Sequence, residues 1–276
     1  MAETPTQKEY WSGKVGGEWA AHAVQIDAML AGVAQAALLR AGFKAGERVL
    51  DIGCGAGATS LEIARRVGAS GSVLGVDLSP PLLAVARMRA SGAAEFVEAD
   101  ATHFSADVAF DAAFSRFGVM FFEAPEAAFA NIRSLLRPAG RLVFACWRAV
   151  TENDWATAPM IALAPMLGTP PVPPDADAPG PFAFADPKKV ERILSGAGWR
   201  DIEIARWDDH IPVGGEGDLP KIADFLLHIG PCARALAEQG LDPAMAKARL
   251  IEHLEPLYRD GAVRLAAACW IVSATA

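Results

Sequence analysis

Three observations predict an α/β fold built on a mostly parallel sheet. An apolar run at 49–52, carrying Asp51, breaks into Gly53, Gly55 and Gly57 at alternate positions and then into an amphipathic run at 58–67. Strand and helix patterns go on alternating as far as residue 147. Acids stand at three successive strand ends: Asp51, Asp77 and Asp100.

Taken in order, the first regular element is a helix over 24–40. Ile26, Met29, Leu30, Val33, Ala37 and Leu38 fall at helical spacing, and Ala41-Gly42 ends it. Ahead of it, Tyr10, Trp11 and Trp19 are interspersed with glycines, a stretch ill suited to a regular element. The strand at 49–52 meets the glycine turn, where missing Cβ atoms allow a tight bend and a close approach to a ligand. The following helix brings free N–H groups to the same place. A second strand, 72–76, ends in Asp77, after which Ser79 suits an N-cap and Pro80 the first helical position.

A third strand, 94–98, leads to Ala99-Asp100-Ala101, and a fourth, 110–115, leads to Ser115, Arg116 and Phe117. A helix over 125–136 and a fifth strand at 141–147 follow. Regularity then changes, because the prolines of 165–187 read as a long surface connection. Asp186-Pro187 opens a helix to 195, 199–207 forms the sixth strand, and 263–273 forms the last. Helical patterns near 218–229, 232–238 and 243–258 lie between those two strands, a helical insertion at about 212–261.

The turn also satisfies the dinucleotide pattern G-x-G-x-x-G/A through Gly53, Gly55 and Ala58. A carboxylate at the strand tip argues otherwise, since Asp51 repels a pyrophosphate and attracts an ammonium group. Asp77 lies about twenty residues beyond the turn, where an acid hydrogen-bonds a ribose diol. Asp100 stands where it can accept a hydrogen bond from the exocyclic amine of adenine.

These segments resemble the Rossmann-like, class I S-adenosylmethionine-dependent methyltransferases. The residues 51–57 are similar to that family's glycine motif, Asp77 to its ribose-binding acid and 99–101 to its adenine-contacting segment. The residues 110–115 and 136–142 are similar to its fourth strand and the turn into its fifth. The resemblance implies a seven-stranded, mostly parallel sheet whose last strand is antiparallel, flanked by helices and carrying the insertion. It implies one methyltransferase domain over 1–276: an N-terminal lid and helix to residue 42, a cofactor core over 43–150 and a C-terminal half beyond. It further implies S-adenosylmethionine as cofactor and S-adenosylhomocysteine as product. Asp51, Gly53, Cys54, Gly55 and Gly57 would hold the methionyl end, and Asp77, Leu78, Asp100 and Ala101 the nucleoside. Ser115 and Arg116 would lie on the cofactor side of the fourth-strand loop.

For the acceptor, the resemblance points to Phe117, Met120 and Phe121, although Met120 and Phe121 suit core packing equally well. Tyr10, Trp11 and Trp19 either form part of a lid near the sulfonium or anchor the segment to the surface. Trp147 and Trp155 flank the exit of the fifth strand and suit an apolar cavity. No catalytic base is identified; His228 is the candidate, reaching from the insertion. The loop lacks the Asn/Asp-Pro-Pro-aromatic signature of enzymes that methylate nucleic-acid bases or protein amides.

Composition bounds the rest. The formal charge of −8 opposes binding to nucleic acid. The 4 cysteines are scattered without a C-x-x-C pair, so free thiols in a reducing cytoplasm are expected, and no metal site. The polar start contains no signal-peptide core, and no apolar run is long enough to span a membrane. The expectation is a cytoplasmic methyltransferase for a small apolar or aromatic metabolite, the insertion acting as substrate cap or homodimer surface. A nicotinamide-dependent oxidoreductase and a non-catalytic cofactor-binding protein are the alternatives.

Overall fold

The structure is a computed structural model and describes residues 6–169 and 178–276. The core of the proline-rich connection falls at 170–177, outside the described residues. Strands β1 (Arg48–Ile52), β2 (Ser72–Asp77), β3 (Glu95–Glu98), β4 (Phe110–Arg116) and β5 (Leu136–Trp147) run parallel in the spatial order β3-β2-β1-β4-β5. Strand β6 spans Arg200–Pro212, the two-residue β7 spans Tyr258–Arg259, and β8 spans Ala262–Thr275. Strand β8 lies antiparallel between β5 and β6, as expected, and β7 folds back on it outside the main path of seven. The strand order reverses beside β1, so the connections leaving β1 and β4 turn to opposite sides and leave a crevice outside the strand ends.

Helices α1 (Gln7–Ser12), α2 (Lys14–Ala21), α3 (Ala23–Met29) and α4 (Ala31–Ala41) precede the sheet. This corrects two expectations. The aromatic stretch is helical, because Thr6 and Glu9 form a capping box that starts α1, and Gly13 hinges it to α2. The helix over 24–40 is two helices meeting at 65°. The break at Leu30 lets Ile26, Met29 and Leu30 on one side of it and Val33, Ala37 and Leu38 on the other all bury in the core.

Helices α5 (Ala58–Val67), α6 (Pro80–Ala90) and α7 (Pro125–Ser134) are the crossovers of the parallel sheet. Helix α8 (Asp154–Leu163) leads into the connection, and α9 (Pro187–Gly196) packs on α7 and β6. The insertion is α10 (Leu219–His228), α11 (Pro231–Gln239) and α12 (Pro243–Leu254), seated against α8. Ser79, Asp186, Asp218 and Asp242 each cap a helix through the side chain, and prolines follow in the first turn. Strand β6 runs five residues past its expected end because the long β8 offers partners through Arg264. No single helix among the described residues is long and apolar enough to cross a membrane.

Aromatic rings fill the layer between sheet and helices. Phe129 on α7 is wholly buried and meets the rings of Phe122, Phe144 and Phe184 at centroid distances of 5.6, 5.5 and 6.1 Å. Phe129→Ala should cost about 3–5 kcal/mol. Urea unfolding would report it as a lower midpoint with an unchanged m-value.

Candidate active site

The site begins where β1 ends. Gly53 turns the chain with φ +62°, and a Cβ there would stand 2.7 Å from the Cα of Gly118 in the loop after β4. Only glycine satisfies both demands. Gly57 is equally confined, against Ala86 and Phe96, whereas a Cβ on Gly55 would meet open space. The turn therefore presents bare backbone toward the crevice at Gly55. The Cys54 thiol points the other way, into a core cluster with Leu83, Ala86 and Phe96. Cys54 contributes its backbone to the turn and not a ligand contact by its side chain.

Asp51 is fully buried. Its Oδ2 accepts hydrogen bonds from Thr59 Oγ1 at 2.8 Å and Ser60 Oγ at 2.6 Å, both in the first turn of α5. Its Oδ1 is buried and lacks a hydrogen-bond partner. Burial pushes the Asp51 carboxyl up to about 6, against the hydrogen bonds from Ser60 and Thr59 and the positive charge of Arg116. A buried acid with one unused oxygen is arranged to receive a donor or a cation. That orphaned atom, beside a turn with no Cβ at Gly55, fits the ammonium end of an amino-acid-bearing cofactor.

Asp77 accepts from the Gly55 N–H at 2.8 Å and the Ser79 N–H at 2.9 Å. The expected ribose acid thus also holds the glycine turn closed, and its burial raises its pKa. The Leu78 carbonyl accepts from Ser12 Oγ at 3.3 Å. Asp100 accepts from the Thr102 N–H at 2.8 Å and pairs with His103 at 3.3 Å. Partial burial lifts the Asp100 carboxyl, but the bonds from Thr102 and His103 outweigh it and hold the group below its usual range. The carbonyl of Ala101 is tied to Asn131 Nδ2 at 2.8 Å.

Ser115 is buried, donating to the Ile52 carbonyl at 2.7 Å and accepting from the Gly118 N–H at 3.2 Å. It clamps the β1 and β4 tips together. Arg116 pairs with Asp27 of α3 at 3.0 Å, and Asp27 also meets Arg89 of α6 at 2.8 Å. Thr59, Ser60, Asp27 and Arg89 escaped the sequence reading. The two hydroxyls carry a signal, since they sit in the first turn of the helix that follows a strand-tip acid; the ion pairs span remote segments and carry none.

The aromatic side of the crevice starts at Phe117. This residue is buried with φ +65°, a left-handed conformation that is costly for a large side chain. Its ring stacks on Trp147 at 4.3 Å, Trp147 meets Trp155 at 4.7 Å, and Trp155 faces Phe182 at 6.1 Å. Trp155 also lines a cavity with Met29, Pro159, Val213, Phe225, Leu226, Ile229 and Cys232. Met120 is core: it is buried, and its sulfur accepts from the Trp147 N–H at 3.4 Å.

Trp11 packs edge-on against Phe121 at 5.1 Å, Trp19 at 5.4 Å and Tyr10 at 5.5 Å. Together with the Gln7 N–H bond to Glu123 and the Ser12 bond to Leu78, these rings draw α1 and α2 across the mouth between the β4 loop and the β2 tip. Tyr10 itself stays 40% exposed. His228 is exposed, donating Nδ1–H to the Asp224 carbonyl at 2.8 Å and stacking on His22 at 5.3 Å. Helix α10 turns Phe225, Leu226 and Ile229 to the cavity and His228 away from its lining, so the expected base does not face it.

The family model described as "Methyltransferase domain" matches residues 49–140. The demethylmenaquinone methyltransferase of Thermus thermophilus is 38% identical over 104 residues, 36% of this chain and 47% of that protein. The malonyl-[acyl-carrier protein] O-methyltransferase of Magnetococcus marinus is 28% identical over 187 residues, 66% of this chain and 63% of that protein. The chain thus spans less than two thirds of the length of these curated relatives. Phosphoethanolamine N-methyltransferase 2 of Haemonchus contortus, solved with S-adenosylhomocysteine, shares the fold at a TM-score of 0.52. It is 18% identical and covers 88% of this chain and 52% of its own. A glycine turn closed by Asp77, a buried acid at the β1 tip and this strand order agree with those likenesses, and residues 49–140 are similar to a methyltransferase domain.

Proposed function

We propose that this protein transfers a methyl group from S-adenosylmethionine to a small apolar or aromatic metabolite, releasing S-adenosylhomocysteine. The observation that carries the reading is the buried, partnerless Oδ1 of Asp51 beside the open backbone of Gly55. S-adenosylmethionine supplies, when bound, a methyl group already activated by its sulfonium charge. Asp51 would hold the ammonium and Asp77 the ribose, with Asp100 and Ala101 at the adenine. The chain's task is then to place the acceptor in line and keep water out, for which orientation alone can supply much of the acceleration.

The aromatic series Phe117, Trp147 and Trp155 supports an acceptor with a flat or oily body. We read the chain as one domain in which α1 and α2 cover the cofactor and the insertion caps the acceptor. The four free, buried thiols suit a reducing cytoplasm.

Titration calorimetry with S-adenosylhomocysteine and with NADH tests the cofactor, and preferential NADH binding would overturn the assignment. Incubation with S-adenosylmethionine and metabolite extracts, reading S-adenosylhomocysteine release, tests turnover. Asp77→Ala should weaken S-adenosylhomocysteine about tenfold, since it removes buried charge-assisted hydrogen bonds. Trp155→Ala should raise the acceptor KM and leave cofactor affinity unchanged.

Because the ionised Asp51 attracts an ammonium, S-adenosylhomocysteine should bind more tightly as the pH rises through about 6, with a plateau above. Asp51→Asn should abolish that rise. Stability of the free protein runs the opposite way. The raised pKa means the folded chain holds the proton more tightly, so this contribution is full below the ordinary 3.8 and is lost as pH climbs through about 6. Thermal unfolding of wild type and Asp51→Asn across that window would read it.

A further inference from the structure

Three charged side chains from three separate elements meet beside the glycine turn. Asp27 of α3 bridges Arg116, at the end of β4, and Arg89 of α6, at 3.0 and 2.8 Å. Arg89 donates in addition to the Ala56 carbonyl inside the turn, at 3.2 Å. Side-chain exposures of 13% for Arg116, 23% for Asp27 and 24% for Arg89 leave little solvent to screen the three charges. The set carries two cations and one anion, a surplus of one positive charge.

The surplus faces a complementary one. Asp51 pairs with Phe114 in the parallel register of β1 and β4, and Arg116 lies two residues further along β4, on the same side of the sheet. The charge of Arg116 reaches Asp51, where it favours the ionised acid. A buried carboxylate with an unused oxygen and a guanidinium therefore stand together at the crevice. An α-amino-acid group carries the two opposite charges, an ammonium and a carboxylate, on one carbon.

We infer that Arg116 receives the carboxylate of the cofactor's methionyl tail, and that Asp27, which pairs with Arg116, competes with that carboxylate for it. The inference rests on the cofactor reading above. A planar guanidinium favours a carboxylate, and Asp27 supplies one from within the chain. On binding, the ligand carboxylate takes the Arg116 contact while Asp27 keeps Arg89. The N-terminal helices thus stay anchored to α6 when the exchange occurs. Asp27 is a competitor for the site, and its negative charge lowers affinity for every ligand bearing the tail.

Two ligands separate the terms. S-adenosylhomocysteine has the amino-acid tail; 5′-methylthioadenosine keeps the nucleoside and sulfur and lacks it. In calorimetry on the full chain, Arg116→Gln should weaken S-adenosylhomocysteine about tenfold or more and leave methylthioadenosine unchanged. Arg116→Lys, which keeps the charge and loses the fork, should fall between. Asp27→Asn should tighten S-adenosylhomocysteine about threefold, again without effect on methylthioadenosine. Arg89→Gln controls for anchoring of the helices and should change both ligands in parallel. Equal loss of both ligands in Arg116→Gln, or weaker S-adenosylhomocysteine in Asp27→Asn, would overturn the inference. A wild-type protein that binds methylthioadenosine but gains nothing from the tail overturns it while leaving the cofactor reading standing; one that binds neither ligand overturns both.

Discussion

The backbone contact between Gly53 and Gly118 is the constraint on which the site depends. A Cβ on Gly53 would lie 2.7 Å from the Gly118 Cα, and one on Gly118 would lie 2.8 Å from the Gly53 Cα. Their apposition joins the tips of β1 and β4 at the point where the strand order reverses. Ser115 locks the contact by bonding to both sides of it, at the Ile52 carbonyl and the Gly118 N–H. Phe117, between Ser115 and Gly118, is then forced into its left-handed conformation. Its N–H bond to the Ala145 carbonyl and its stack on Trp147 offset that strain, of order 1–3 kcal/mol.

This one closure separates two chemical environments. On the side of β1 the groups are charged, and hydroxyls, backbone amides and arginines partner the acids except at Asp51 Oδ1. Asp77 serves twice there, because the carboxylate suited to a ribose also caps the amides of Gly55 and Ser79. Beyond Phe117 the lining is aromatic and aliphatic, ending in the cavity against α8 and α10. Helices α1 and α2 lie across the mouth between them, tied by the Gln7 N–H to Glu123 and by Ser12 to the Leu78 carbonyl.

The strands of the sheet were legible because apolar runs between turn residues have few other uses, and the central strands β1 and β4 are short and largely buried. The glycine turn and its acids were legible because backbone geometry and charge restrict which residues can stand there. The N-terminal helices were misjudged: glycines suggested irregularity, while the Thr6–Glu9 capping box carried the helix signal. The break at Leu30 has no proline to announce it and follows from which surfaces the two halves must cover. Ser115 and Cys54 lie in the right segments, but which way each points depends on neighbours drawn from other strands and helices.

By itself, the sequence determined the alternation of strand and helix, the turn at Gly53 to Gly57 and the acids at three strand tips. These are local properties, set by φ angles, side-chain period and the charge of single residues. Only the tertiary structure decided that Asp27 meets Arg116 across 89 positions of chain, that Asp51 keeps one oxygen without a partner, and that His228 turns from the cavity. Those depend on which surfaces pack together, and packing partners distant in the chain leave no mark on the residues between them.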